Sequence, residues 1–258
     1  MLVRTWNLFH GNSVPRWRTA YLEEMVRLAT ADRPDVLLLQ EVPLWALSEL
    51  GAWSGMTAFT QVAHRTPLGA SLGGSITRLN PGLLRSAVSG QGNAILLDPA
   101  LDSFDYHALV LNPREFRHEQ ADRLGLDLSE RFAWAKERRV CQVVRVALPD
   151  GRRALIANLH ASRHARMAEP ELVRAAEFFF ALARPDEIDV FAGDLNLRAG
   201  SDIFSFFAEQ GFSGPGHSVD HVLVRGAPVT PPEGWPEERR RIGGVLVSDH
   251  APLEVRIT

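Results

Sequence analysis

Lysine is all but missing from this 258-residue chain: Lys+Arg number 28, Lys136 is the single lysine, and the rest are arginine. That absence excludes a Walker-type phosphate loop, whose lysine must reach the phosphates, and leaves one candidate for Schiff-base chemistry. Cysteine is nearly absent too, and with Cys141 alone no intrachain disulfide framework exists. No stretch approaches the roughly 18 consecutive apolar residues that a membrane span requires; the run at 178–183 is short and sits in an amphipathic pattern. The opening Met1-Leu2-Val3-Arg4-Thr5-Trp6-Asn7 lacks the charged-then-apolar layout of a secretory signal, so a cytoplasmic location is the expectation. Nor is there an excess of either charge. A formal charge of −3 provides no global field to draw the chain onto nucleic acid or membrane.

What is present is ordinary for a globular protein: 45% apolar residues, in a length that buries a full core without staples. One domain over 1–258 is expected, with no internal repeat and no linker. Residues 2–9 and 35–42 are apolar runs of strand length, the second nearly continuous, as for a strand covered on both faces. Between them Trp17, Tyr21, Met25 and Leu28 recur at helical spacing, and Ser13 and Pro15 suit a helix start. Residues 92–97, 106–111, 140–148 and 153–161 read as strands, the last two joined by Pro149-Asp150-Gly151-Arg152, a hairpin turn. Helical spacing returns over 171–183, with Pro170 near its start. Residues 189–196, 219–224, 244–247 and 253–257 complete the strands. Residues 64–92, rich in Gly, Ser, Pro and Arg, read as a long surface loop, and the mixed-charge stretch 112–139 as a helical insertion; both are expected to shape the substrate site. The pattern reads as one α/β domain of two packed, largely antiparallel sheets with outer helices.

Polar residues close the buried strands. Asn7 follows Trp6, Gln40-Glu41 ends an apolar run, and His160 closes Ile156-Ala157-Asn158-Leu159. Asp194 and Asn196 follow Val190-Phe191-Ala192-Gly193, Asp220-His221 opens a strand, and Asp249-His250 follows Val245-Leu246-Val247-Ser248. A strand end fixes a side chain while leaving it at the surface of the sheet, although a turn residue is the commoner role for each one taken singly. Asp194 and Asn196, two apart, share a side of an extended chain, and Gly193 permits close approach. Carboxylates and an amide without nearby cysteines are hard oxygen ligands, suited to Mg²⁺ or Mn²⁺ rather than zinc.

Six blocks taken together, Trp6-Asn7, Leu39-Gln40-Glu41, Asn158-Leu159-His160, Gly193-Asp194-Leu195-Asn196, Val219-Asp220-His221-Val222-Leu223 and Ser248-Asp249-His250-Ala251-Pro252-Leu253, resemble the endonuclease/exonuclease/phosphatase superfamily, the deoxyribonuclease I-like proteins. They stand in the family's order and span residues 3–257, and the resemblance implies a four-layer sandwich of two packed, mixed, largely antiparallel β-sheets flanked by helices, with which the strand pattern agrees. The resemblance implies a Mg²⁺- or Mn²⁺-dependent phosphoesterase, foremost a phosphodiesterase or nuclease, with a phosphoester substrate such as nucleic acid and no obligate protein partner. It implies Glu41 as main metal ligand, with Asn7 beside it and Asp249 as a second carboxylate ligand. Asp194 matches the residue that orients or deprotonates the attacking water, Asn196 holds that water or a phosphate oxygen, and His250 contacts the scissile phosphate with Asp220 as its partner. His160 is the second active-site histidine, stabilising phosphate charge or protonating the leaving oxygen, and Arg198 is a candidate phosphate contact. His160-Ala161-Ser162-Arg163 departs from the Tyr-x-Pro-Asn block of the abasic-site repair branch. Ser218-Val219-Asp220-His221 departs from the Trp-Cys-Asp-Arg block of the inositol polyphosphate 5-phosphatases.

A phosphomonoesterase or phospholipid-type phosphodiesterase on the same fold is the first alternative. From another class, Gly69-Ala70-Ser71-Leu72-Gly73 fits the serine-hydrolase elbow, with Ser71 as nucleophile, but lacks the strand before it and the helix after it. His160 and His164 have a zinc-like spacing only if helical, and His160 closes a strand. Arg114, Arg117 and Arg123 are interleaved with acids and read as a solvated helix surface. Trp17, Phe178, Phe179 and Phe180 read as core.

Overall fold

The computed structural model describes residues 1–17, 19–64, 90–216 and 218–258. Its elements follow in chain order as β1 (Leu2–Asn7), α1 (Leu22–Thr30), β2 (Val36–Pro43), α2 (Leu50–Ser54), β3 (Thr57–His64), β4 (Gln91–Leu97) and β5 (Asp102–Val110). Next come α3 (Arg114–Arg123), α4 (Leu128–Lys136), β6 (Val140–Ala147), β7 (Arg153–His160), α5 (Ala165–Leu182), β8 (Ile188–Asp194) and α6 (Asp202–Glu209). The chain ends with β9 (Asp220–Arg225), β10 (Glu233–Gly234), β11 (Arg241–Ile242), β12 (Val245–Leu246) and β13 (Leu253–Arg256).

One sheet has the order β10-β13-β1-β2-β4-β3 and the other β5-β6-β7-β8-β9, each mixing parallel and antiparallel pairs. Their alternating side chains build three buried layers. Val3, Val36, Leu38 and Ile95 of the first sheet meet Val144, Ile156, Val190 and Val222 of the second. The opposite faces are covered by helices: Leu37 and Leu39 by Met25 and Val26 of α1, and Leu155 and Phe191 by Leu172 and Phe179 of α5 and Phe207 of α6. β2 opens with the unbroken apolar run Val36-Leu37-Leu38-Leu39 because both its faces are covered. The predicted four-layer arrangement is present.

Several local expectations change. The helix foreseen from Trp17 begins only at Leu22. Before it, Val14 N–H donates to Leu246 C=O and Tyr21 N–H to Gly11 C=O, so the backbone is held by distant segments rather than by its own helical ladder. Trp17 is consequently exposed, not core. α5 starts at Ala165 and contains Pro170, which forgoes one backbone donor there. β3, α2 and α6 carried no clear periodic signal. The stretch 112–139 does hold two helices, the second opened by a capping box between Asp127 and Glu130. Of the expected loop 64–92, positions 65–89, with Ser71 and its glycines, lie outside the described residues.

Candidate active site

Sheet topology gathers the polar strand ends at one edge. β1 and β2 are parallel, as are β7 and β8, so Asn7, Glu41, His160 and Asp194 emerge on the same side. β9 is antiparallel to β8 with Asp220 opposite Asp194, and His160 stands opposite Asp194 across the β7–β8 pair. β13 is antiparallel to β1, which places Asp249 and His250, just before it, at this edge too. Beneath them Gln40 Nε2 donates to Thr5 Oγ1 at 3.0 Å and to Asn158 Oδ1 at 2.7 Å, and Asn158 Nδ2 donates to the Ala94 carbonyl of the first sheet at 2.9 Å. Gln40 and Asn158, part of the sequence blocks, thus clamp the two sheets together.

The backbone is bent to aim these side chains. The β2–β4 register shifts between Leu39 and Val42, and within that bulge Glu41 has φ +52°. Asn196 (φ +52°), Ser248 (+58°), Phe9 (+48°) and His10 (+54°) are also left-handed and lie in or beside the site. Such residues cost about 1–3 kcal/mol each and persist only where surrounding contacts hold them. Gly193 sits at φ +137°, and a Cβ there would lie 2.0 Å from the Leu159 carbonyl oxygen, so only glycine lets β8 approach β7 just before Asp194.

Asp194 is the hub. Its Oδ2 accepts from Asn7 Nδ2 at 2.8 Å and its Oδ1 from Asn196 N–H at 3.2 Å, while His160 Nε2 is 3.5 Å and His250 Nε2 3.9 Å from Oδ2. Burial, then the neighbouring Asp220 carboxylate, raises Asp194 to about 7. His250 Nδ1 is 2.8 Å from Asp220 Oδ2. Burial alone would favour the neutral imidazole, but the hydrogen bond and charge of Asp220 outweigh it and hold His250 at about 10, so this ring is cationic at neutral pH. The Trp6 indole and Arg240 both donate to the His250 carbonyl, and Ser248 Oγ accepts from His250 N–H while donating to the Asn7 carbonyl.

His160 behaves oppositely. Burial and the adjacent Arg139 guanidinium, 3.0 Å from Nδ1 and 3.2 Å from Nε2, hold it well below the ordinary histidine value. A neutral ring can orient and hydrogen-bond, but the cation at this position is Arg139, itself paired to Glu137 at 2.5 Å. No strand-end pattern in the sequence marks Arg139, which lies one residue before β6 in a charged stretch; its place at the start of a strand hairpinned to β7 is the signal that finds it.

A cleft of about 450 Å³ opens over these groups, floored by Glu41, His160, Asp194, Asn196 and His250. Asp249, about half exposed, stands at its rim. Trp134, Lys136 and Glu137, from and just after α4, form one wall, and Arg16, Arg163 and His164 also line it. Trp134 is anchored by its indole N–H to Glu171 Oε1 at 2.6 Å, and Glu171 also accepts from Ser162 N–H and Oγ, tying this wall to α5 and to the segment after His160. The charged stretch 112–139 therefore contributes to the site as expected. Arg198 does not line the cleft: Leu197 turns into the core, Ser201 N–H closes a turn on the Arg198 carbonyl, and the arginine is left exposed. His164 precedes the first turn of α5 while His160 closes β7, so the two do not form a helical i, i+4 pair. His221 is structural, accepting from Gly216 N–H and bonding the Leu197 carbonyl.

The donor set suits a divalent cation. Glu41, Asp194, Asp220 and Asp249 converge; Asp249 is also raised, by burial and then, against the opposing pull of His250, by Glu41, and Asp220 Oδ1 is buried without a hydrogen-bond partner. Asp194, Asp220 and His250 each bring a ligand atom within 4.8 Å of the others, although His250 is already held by Asp220. Crowded hard oxygen donors of this kind are relieved by Mg²⁺ or Mn²⁺.

Comparison with known families matches residues 5–250 to the Endonuclease/Exonuclease/phosphatase family. Comparison with curated proteins gives no match. Among solved structures, an endonuclease/exonuclease/phosphatase from Beutenbergia cavernae is similar at TM-score 0.69 and 17% identity, over 100% of this chain and 71% of that one. A mannosyl-6-phosphatase from Bacteroides thetaiotaomicron gives 0.65 and 14%, over 100% and 99%. The human Nocturnin catalytic domain with bound sulfate gives 0.63 and 15%, over 100% and 93%. At these identities the likeness establishes the shared fold.

Proposed function

The chain belongs to the endonuclease/exonuclease/phosphatase family, and on that footing we propose that it is a divalent-metal-dependent phosphoester hydrolase in which Asp194 activates water for in-line attack. The observation that carries this is the opposed pair of environments at one strand edge: a carboxyl raised to about 7 beside an imidazole held at about 10. Divergent neighbours of that kind assign base and acid roles. Asn7 and Asn196 fix the Asp194 carboxylate so that it can take a proton from the attacking water near neutral pH. His250, cationic and oriented by Asp220, donates to a phosphoryl oxygen as negative charge accumulates there. Arg139 adds a second fixed cation, and the neutral His160 is a hydrogen-bonding group rather than an acid. Glu41, with Asn7 and Asp249, would hold the divalent ion, which when bound supplies Lewis-acid stabilisation of the phosphoryl oxygens.

The bounded cleft and the −3 charge favour a compact ester, of the size of a nucleotide or sugar phosphate, over tracking along duplex DNA. A phosphodiester in nucleic acid is the second reading, favoured by the cations Arg16, Lys136, Arg139 and Arg163 around the same cleft. The test is a panel of sugar monophosphates, nucleotide diesters and oligonucleotides, each with Mg²⁺, with Mn²⁺ and with EDTA. Metal-dependent release from the small esters in preference to oligonucleotides is expected. Absence of phosphoester cleavage on every member with both metals would overturn the assignment.

A further inference from the structure

The Phe9–Gly11 turn delivers a side chain that none of the six sequence blocks contains. Its three residues are all left-handed, with φ +48°, +54° and +78°. The turn is closed by Gly11 N–H to the Leu8 carbonyl at 2.7 Å and Asn12 N–H to the Phe9 carbonyl at 3.0 Å, and anchored by Phe9 N–H to Asn7 Oδ1 at 2.9 Å. Gly11 packs so closely on α1 that a Cβ would meet Leu22 Cγ at 2.5 Å. This rigid turn buries His10 in the floor of the cleft with Nε2 3.2 Å from Glu41 Oε2.

We infer that His10 is a ligand of the catalytic ion beside Glu41, and that this nitrogen donor makes the site selective for Mn²⁺ over Mg²⁺. The inference rests on the metal-dependent reading above. Two donors in adjacent positions of an octahedral shell, each roughly 2.1 Å from the ion, stand roughly 3.0 Å apart, close to the His10–Glu41 spacing observed. Mn²⁺, although it prefers oxygen ligands and is the weakest binder of the first-row divalent series, accepts an imidazole nitrogen more readily than Mg²⁺, which keeps oxygen ligands and water. The oxygen donors alone gave no preference between the two ions.

The test uses the full chain stripped with EDTA. Mn²⁺ and Mg²⁺ are titrated separately by calorimetry, and the Mn²⁺-loaded protein is examined by pulsed EPR for a directly bonded nitrogen. The wild type is expected to bind Mn²⁺ at least about tenfold more tightly than Mg²⁺ and to show nitrogen coupling. His10→Asn, which keeps a residue tolerant of left-handed backbone, should lose the coupling and weaken Mn²⁺ binding at least about tenfold, with Mg²⁺ affinity within about twofold. His10→Gln is the second variant if the first does not fold. Absence of nitrogen coupling in the Mn²⁺-loaded wild type, or coupling that persists in a folded His10 variant, overturns the assignment of His10 alone. Failure of the wild type to bind either ion overturns the metal-dependent reading as well.

Discussion

Asp194→Asn should abolish activity and, in the metal-free protein, make stability less sensitive to pH. Asp194 is buried beside Asp220 and within reach of Glu41, which raises its carboxyl from 3.8 to about 7. A group whose folded value lies above its unfolded one contributes stability that is fully present below the unfolded value and lost as pH rises through the folded one. From about pH 5 to about pH 8 the wild type should therefore lose about 2–3 kcal/mol through this carboxyl, at about 1.4 kcal/mol per unit. Asparagine does not titrate, so the variant escapes that loss. It also disturbs the hydrogen bonds from Asn7 and Asn196, but that penalty is the same at both pH values and cancels in the difference. The assay is a pair of thermal or urea melts for each protein, in EDTA, at the two pH values. At roughly 2–4 °C per kcal/mol for a chain of this size, the variant's Tm relative to wild type should rise by about 5–10 °C between the lower and the higher pH. A constant offset, or one that falls with pH, would refute the account of Asp194 as a carboxylate held in an unfavourable charged state. Saturating Mn²⁺ should shrink the wild-type pH dependence, because an adjacent cation favours the ionised form.

The remaining expectations concern the dyad, the arginine and the strand crossing. Asp220→Asn removes the partner that keeps His250 cationic, so its titration, followed by imidazole C–H NMR, should fall from about 10, with kcat/KM reduced at least about 10²-fold; an unmoved titration would remove Asp220 from its role. Arg139→Met should raise the His160 titration and reduce kcat more than it perturbs folding, measured by NMR and steady-state rates. Gly193→Ala should destabilise by at least about 3 kcal/mol in urea melts, because its Cβ would overlap the Leu159 carbonyl at a left-handed backbone position.

Much of the site was legible in the chain because strand ends are local events. An apolar run that stops at Glu41, His160 or Asp194 marks both a buried strand and the residue delivered at its end, and the near-continuous apolar runs of β2, β7 and β8 encode two covered faces. The layered fold, the lack of lysine-based chemistry and the set of oxygen and imidazole groups follow from the sequence alone, since periodicity and side-chain chemistry depend on near neighbours. What those groups become depended on packing between distant segments. Burial beside Asp220 raises the Asp194 carboxyl to about 7, burial and Arg139 lower His160, and Asp220 raises His250 to about 10, although the two rings occupy similar strand-end positions. Trp17 was expected in the core and is exposed, and Arg198 turned away from the cleft, while Arg139 and His10 entered it from a strand start and a left-handed turn that carry no periodic signal. Residue types and their order are written along the chain. Their charge states and facing depend on desolvation and Coulomb terms that exist only once the two sheets close on each other.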